Sequence, residues 1–103
     1  MIWNMKLLID TSNSEKVAVK LDDLEVIEDA KQEKAQKLLS VIDKLLSKKR
    51  RKITDIKEIE VNAGPGSFTG LRVGISVANA LGWALGIPVN GRDVKKSPTE
   101  PVY

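Results

Sequence analysis

The 103-residue chain contains no cysteine and no histidine, and only four of its residues are aromatic. Without cysteine there is neither a disulfide framework nor a thiolate zinc site. Without histidine the commonest general base and metal ligand are missing. These absences exclude Ser-His-Asp hydrolysis, Cys-His proteolysis and imidazole-bound zinc, and the shortage of aromatic rings argues against a surface that stacks nucleic-acid bases. What remains is carboxylate chemistry, anion binding by backbone N–H groups, or a role without catalysis.

The overall composition is that of one small globular domain. Hydrophobic residues make up 42% of the chain, and 17 Lys and Arg stand against 14 Asp and Glu, for a net charge of +3. Residues 73–91 carry no charge, but Pro88 ends their helical part near Ile87. A helix over 73–87 spans about 22 Å, which is short of the roughly 30 Å of a bilayer core. Because the first ten residues also lack a secretory cleavage pattern, we predict a cytoplasmic protein without a membrane span.

The spacing of apolar residues predicts an α/β fold. Alternation or short apolar runs predict five strands, and a 3.6-residue period predicts two helices. The strands are expected at residues 5–10, 16–21, 24–29, 56–62 and 87–90, and the helices at 31–49 and 71–85. An antiparallel meander followed by two crossovers predicts a mixed five-stranded sheet of order 3-2-1-4-5. The charged, proline-containing residues 92–103 are expected to form a tail.

Two polar segments are candidates for chemistry. A glycine loop, defined as residues 63–70, joins the predicted fourth strand to the second helix and contains Gly64, Gly66, Ser67, Thr69 and Gly70. Its backbone could bind an anion or a partner protein, or its glycines could only permit a tight turn. At the end of the first strand, Asp10, Thr11 and Ser12 could hold a magnesium–phosphate group, or Asp10 could simply begin an Asx turn. No metal site is predicted.

Both helices are apolar over a wider arc than one contact requires. Gly70, Gly74, Ala78, Gly82 and Gly86 recur every four residues along the second helix, and small residues allow another backbone to approach closely. The excess apolar width predicts an interface with another chain, although the small residues could instead pack on the first helix. The predicted contact residues are Leu39, Ile42, Leu46, Gly74, Ala78, Gly82 and Trp83.

A run of five cations, Lys-Lys-Arg-Arg-Lys at residues 48–52, closes the first helix. Positive charge suits the negative end of the helix dipole. The run could contact nucleic acid, or it could be an ordinary solvated helix end.

The motif Asn-Ala-Gly-Pro-Gly-Ser-Phe-Thr-Gly-Leu-Arg-Val-Gly at residues 62–74 closely resembles the signature of the TsaB (YeaZ) family. These proteins are subunits of the bacterial machinery that makes threonylcarbamoyladenosine in tRNA. Residues 8–12, 32–46 and 80–91 resemble the family's first strand and turn, its first helix, and its closing helix and strand. The resemblance therefore extends over about residues 6–91.

The resemblance implies an actin-like (ribonuclease H-like) domain that dimerises through its two helices with a catalytic TsaD-like subunit. It further implies that a TsaE-like ATPase joins, with ATP and Mg²⁺ acting in the assembled complex and no cofactor in the isolated chain. The catalytic relative holds its metal through a histidine pair on its first helix, where this chain offers Gln32 and Gln36. The chain is therefore expected to be a non-catalytic scaffold, with only indirect contact to tRNA.

Family members carry a second domain of similar size, which is expected to be absent here. Residues 1–91 correspond to the N-terminal domain and 92–103 to a C-terminal tail. Asp10, Thr11 and Ser12 would then supply at most half of a nucleotide pocket. Two alternatives to the scaffold remain open, namely a self-associating homodimeric module and a vestigial nucleotide-binding domain.

Overall fold

A computed structural model of the protein describes residues 5–102, so that Trp3 and Tyr103 lie outside the described residues. The described chain forms four strands, two α-helices and one short 3₁₀ turn. The elements are β1 (Met5–Asp10), β2 (Lys16–Leu21), β3 (Leu24–Asp29), α1 (Lys34–Lys48), the 3₁₀ turn (Ile53–Asp55), β4 (Ile56–Val61) and α2 (Phe68–Leu85).

The sheet has the order β3-β2-β1-β4. β1 pairs antiparallel with β2 and parallel with β4, and β2 pairs antiparallel with β3. Side chains alternate in burial along β1 and β2, with Leu7, Val17 and Leu21 fully buried. Alternation in the sequence predicted β2, whereas β1 was predicted from its short apolar run.

The two helices cover the buried face of the sheet. α1 packs mainly on β2, α2 packs on β4 and β1, and the helices contact each other. Leu38 and Leu45 of α1 and Leu71 of α2 are fully buried in one core with the strand residues. The opposite face of the sheet has no helix of the described chain on it.

The predicted fifth strand does not form. Val89 lies beside Ile59 in a single parallel bridge, in which Ile59 N–H donates to Pro88 O and Asn90 N–H donates to Ile59 O. Beyond this bridge, the Asn90 side chain replaces backbone pairing with β4. It accepts from Val61 N–H at 2.8 Å and donates to Val61 O at 3.1 Å. Since Asn90 also has a φ of 50°, the backbone turns away after one bridge.

Residues 92–102 return along the domain. Val94 is buried against α2, and Asn79 of α2 exchanges two hydrogen bonds with the backbone of Thr99. Farther on, Val102 N–H donates to Ala63 O at 2.7 Å. The end of the described chain thus lies against the glycine loop.

Candidate functional site

The two polar segments singled out in the sequence meet at one edge of the sheet. Parallel strands β1 and β4 end side by side there, and the glycine loop passes from β4 to the N-terminus of α2. Ser67 N–H donates to Ser12 O at 2.8 Å, which joins the loop to the turn after β1. Ser67 also caps α2, because its hydroxyl accepts from Gly70 N–H.

Asp10 accepts two hydrogen bonds from Ser12, one from the backbone N–H at 2.9 Å and one from the hydroxyl at 2.6 Å. The amide of Asn62 donates to the same Ser12 hydroxyl at 3.3 Å. Partial burial raises the pKa of Asp10, but the hydrogen bonds from Ser12 and Asn62 outweigh it and hold that pKa below its usual value. The Asx turn, one of the two interpretations of Asp10 from sequence, is therefore present.

Thr11 is fully buried, and its hydroxyl makes two hydrogen bonds. The hydroxyl donates to Gly70 O at 2.6 Å and accepts from Gly74 N–H at 3.0 Å. The side chain of Thr11 thus fastens the end of β1 to the first turns of α2 and is a structural group.

The glycines of the motif are explained by close packing on this turn. An added Cβ at Gly66 would lie 2.6 Å from Ser12 Cβ, and one at Gly70 would lie 2.2 Å from Thr11 O. At Gly64, whose φ is 130°, an added Cβ would strike the backbone of Val102. Ser67 and Thr69 complete the motif, the first as the cap of α2 and the second as an exposed residue of its first turn.

A concavity of about 430 Å³ opens beside Asp10 on the helix-free face of the sheet. Its lining combines strand side chains of both charges with the end of β4. The lining residues are Leu8, Ile9, Asp10, Ala18, Lys20, Glu25, Glu60, Val61, Asn62 and Ala63. Among residues 5–102, no group of three or more acidic side chains converges as a metal site would require.

The predicted partner residues fall into two groups. Ile42 and Leu46 of α1 and Ala78 of α2 belong to the core of the chain itself. Gly74 and Gly82 are buried as well, because an added Cβ at Gly74 would lie 2.3 Å from Thr11 Oγ1 and one at Gly82 would lie 2.5 Å from a methyl of Val89. These five residues are removed from the predicted contact surface, since they are buried within the chain. Gly74 and Gly82 allow close approach to the chain's own strand end and to the segment around Val89.

Leu39 and Trp83 do remain at the surface, with 50% and 58% of their area exposed. Sequence reasoning missed a second exposed feature, the outward flank of α2. Val73 and Val77 are half-buried and Ala80 and Ala84 are exposed, at the 4-3-4 spacing of one helix face. We call these four residues the α2 stripe. Its signal was present in the sequence but was hidden because α2 is apolar on nearly every side.

Gln32 and Gln36 are both exposed, and α1 begins only at Lys34, so that Gln32 precedes the helix. The basic run lies at the far end of α1, before β4 begins, and so at the opposite edge of the sheet from Asp10. Within the described range, neither helix has the length and apolar character needed to cross a bilayer.

Comparison with known proteins links this architecture to one family. Residues 26–91 match the family model described as TsaD, tRNA N6-adenosine threonylcarbamoyltransferase. The chain is 34% identical over 88 residues to the tRNA threonylcarbamoyladenosine biosynthesis protein TsaB of Bacillus subtilis and 36% identical over 64 residues to that of Buchnera aphidicola. These alignments cover 82% and 62% of the chain.

The fold is similar to that of YeaZ from Pseudomonas aeruginosa, with a TM-score of 0.74 and 32% sequence identity over 84% of the chain. The chain spans only part of each relative, namely 38% of the B. subtilis protein, 30% of the Buchnera protein and 42% of the YeaZ structure.

Proposed function

Since this chain belongs to the TsaB (YeaZ) family, we propose that it is a non-catalytic subunit of a tRNA threonylcarbamoyladenosine complex. In this role it binds a catalytic TsaD-like subunit through its helical layer and holds that subunit in an active conformation. The relatives that are named for tRNA threonylcarbamoyladenosine biosynthesis support the pathway.

The exposed apolar surface of the helices is the observation that carries this proposal. On the α2 stripe, the exposed Ala80 and Ala84 continue a flank begun by Val73 and Val77, which are half-buried against the core, and Leu39 of neighbouring α1 is half exposed. Exposed apolar side chains in such an arrangement are typical of a protein–protein contact. The contact residues proposed here are therefore the α2 stripe together with Leu39 and Trp83, which stay from the sequence prediction because they are exposed, while the five buried residues of that prediction are left out.

The scaffold role is favoured over catalysis by the residue inventory. The chain has no histidine or cysteine to act as base or nucleophile, and Asp10 is engaged by Ser12 in a turn. A carboxylate beside a hydroxyl suits the oxygen preference of Mg²⁺, but here the two groups already bind each other. ATP and Mg²⁺ belong, in this proposal, to the assembled complex, to which a TsaE-like ATPase would also be recruited.

The test is co-elution of the purified chain with the TsaD-like protein of the same organism at micromolar concentration. The double variant Ala80→Glu/Ala84→Glu places two charges on the α2 stripe, and it is expected to abolish co-elution because charges are not accommodated in an apolar contact. Ser14→Glu/Thr54→Glu is the matched control, since it adds the same two charges at exposed residues outside both helices. It is expected to leave co-elution intact.

Absence of co-elution for the wild-type chain would overturn the proposal, and so would equal binding by the double variant. The mass of the isolated chain in solution distinguishes the homodimeric alternative. A dimer that dissociates when the TsaD-like protein is added agrees with a shared surface. A dimer that persists and excludes the TsaD-like protein would favour the self-associating module.

A further inference from the structure

The positive charge of the chain is concentrated in one short segment. Residues 43–57 contain seven lysines and arginines and two aspartates, for a net charge of +5. The whole chain has a net charge of +3, so the remaining residues are net negative. The segment includes the end of α1, the 3₁₀ turn and the start of β4.

Most of these cations lie at the C-terminal end of α1 and in the residues that follow it. Lys49 is paired with Asp23 at 2.8 Å. Its neighbours Lys48, Arg50, Arg51 and Lys52 are exposed. We call these four residues the basic knuckle. The four residues place four positive charges within five consecutive positions of the chain, and binding of an anion lowers the Coulomb repulsion among them.

The backbone of Arg50 offers a way to remove a charge from the knuckle without damaging the fold. Its φ is 54°, Arg50 N–H donates to Ser47 O, and Arg51 N–H donates to Leu46 O. This is the Schellman ending of a helix, in which Arg50 occupies the left-handed position that glycine usually fills. An arginine at this position is strained where a glycine would not be. Because Asp22, Glu33 and Asn90 also have a positive φ, this conformation does not mark Arg50 as functional, but it makes Arg50→Gly a substitution that the fold accommodates.

We propose that the basic knuckle binds the phosphodiester backbone of a folded RNA. Guanidinium and ammonium groups pair with phosphate oxygens. Residues 43–57 contain no aromatic residue on which a base could stack, so the binding reads charge and shape and not sequence. The choice of tRNA as that RNA rests on the proposed function, and it makes the contact direct where the family resemblance implied an indirect one.

The knuckle and the proposed protein contact are separate surfaces. The knuckle follows the end of α1, while the α2 stripe lies along α2 and Leu39 lies in the middle of α1. RNA and a TsaD-like subunit can therefore be bound by different residues, which allows the two proposals to be tested independently.

The experiment measures binding of an unmodified tRNA transcript to the full 103-residue chain by fluorescence anisotropy between 50 and 200 mM KCl. Four phosphate contacts predict a loss of affinity of about 100-fold over this range. Lys48→Glu/Lys52→Glu is expected to weaken binding at least tenfold at 50 mM. The matched control, Lys16→Glu/Lys96→Glu, changes the net charge equally at two exposed lysines elsewhere, and it is expected to change the affinity by less than twofold.

Arg50→Gly separates binding from folding. It is expected to raise Tm because the strain at the helix end is relieved, and yet to weaken tRNA binding and reduce the salt slope by about 1. A variant that is more stable but binds less cannot be explained by a damaged fold. Unchanged binding in this more stable variant would overturn the assignment of Arg50.

Three results would overturn the inference as a whole. These are no tRNA binding at 50 mM KCl, an equal loss in the control double variant, or binding to vesicles of anionic phospholipid with none to tRNA. If tRNA binds as expected while the chain fails to co-elute with a TsaD-like protein, the RNA-binding proposal is supported and the scaffold proposal is overturned. If Lys48→Glu/Lys52→Glu co-elutes normally but does not bind tRNA, both proposals stand.

Discussion

Contacts of Thr11, the residue after β1, fix the position of α2 on the sheet. The Thr11 hydroxyl bonds to the backbone of both Gly70 and Gly74, and neither glycine has room for a Cβ above this turn. From sequence, these glycines could serve a ligand loop or a partner surface. In the structure they allow α2 to pack closely on the turn that follows β1. Their spacing alone could not separate these readings, because close approach by a strand end, a phosphate or another helix requires the same missing side chain.

Gly74→Ala tests this packing through the sign of its effect. Glycine inside a helix is normally less stable than alanine by about 0.5–1 kcal/mol. The new methyl would lie 2.3 Å from Thr11 Oγ1, and we therefore expect the variant to lose at least about 1 kcal/mol of unfolding free energy. Chemical denaturation measures the difference. A more stable variant would contradict the close contact described here.

The hydrogen bonds to Asp10 predict a dependence of stability on pH. Because the pKa of Asp10 is lower in the folded chain than the value of about 3.9 in an unfolded one, its contribution is fully present above pH 4 to 5. It is lost as the pH falls through the folded-state pKa. In Ser12→Ala the hydroxyl donor at 2.6 Å is removed, so the Asp10 pKa is expected to rise.

Carboxyl-carbon NMR titration of Asp10 measures that shift directly. Ser14→Ala is the control, since Ser14 is exposed in the same turn, and its titration is expected to match the wild type. Coincident Asp10 curves for Ser12→Ala and the wild type would show that the hydroxyl does not stabilise the carboxylate.

At the scale of elements, the end of α1 is a site where stability can be gained. Arg50→Gly places glycine at the left-handed position of the helix end and is expected to add about 1 kcal/mol to the free energy of unfolding. Arg50→Ala removes the same charge but keeps the Cβ, so it is expected to stay within about 0.5 kcal/mol of the wild type. Equal stabilisation by both variants would mean that charge repulsion, not backbone strain, had been relieved.

The elements were predictable where one physical signal dominated. β1, β2 and β3 begin and end where they were predicted, because polar turn residues separate the apolar run of β1, the alternation of β2 and the apolar centre of β3. α2 begins at Phe68, earlier than the predicted residue 71, because the Ser67 cap was overlooked in favour of the apolar period. The predicted fifth strand does not form because the Asn90 side chain replaces backbone pairing. Secondary-structure propensities do not include such a side-chain contact.

The face of α2 that meets the sheet could not be predicted for a related reason. A helix that is apolar on nearly every side has no stripe to orient it. The burial of Gly74, Ala78 and Gly82 was decided by the space above Thr11 and Val89, which depends on the tertiary arrangement. The sequence placed Asp10 at the end of β1, but its engagement by Ser12 follows only from hydrogen bonds that the sequence does not display.

At the scale of the whole molecule, the residues after Gly91 are joined to the same core as the helices. Val94 is buried beside Gly82, and the Asn79 side chain binds the backbone of Thr99 twice. Removing residues 93–102 is expected to reduce the free energy of unfolding by about 2 kcal/mol, mostly from the exposure of apolar area. The unfolding transition should remain single because one core is shared.

Lys96→Ala is the control for this deletion, since its side chain is exposed, and it is expected to leave the denaturation midpoint unchanged. A deletion with the stability of the full chain would show that residues 93–102 do not contribute to the cooperative unit.

The approach of Val102 to the glycine loop has a practical consequence. Val102 is 66% exposed although its N–H is bound to Ala63, and the chain has no native thiol. Val102→Cys would therefore give one uniquely reactive position for a fluorophore, held at the edge of the sheet where β4 ends. The six residues of β4 separate this edge from the basic knuckle by about 20 Å. Energy transfer from a dye at Val102→Cys to a labelled nucleic acid would then report how the molecule is oriented on its ligand.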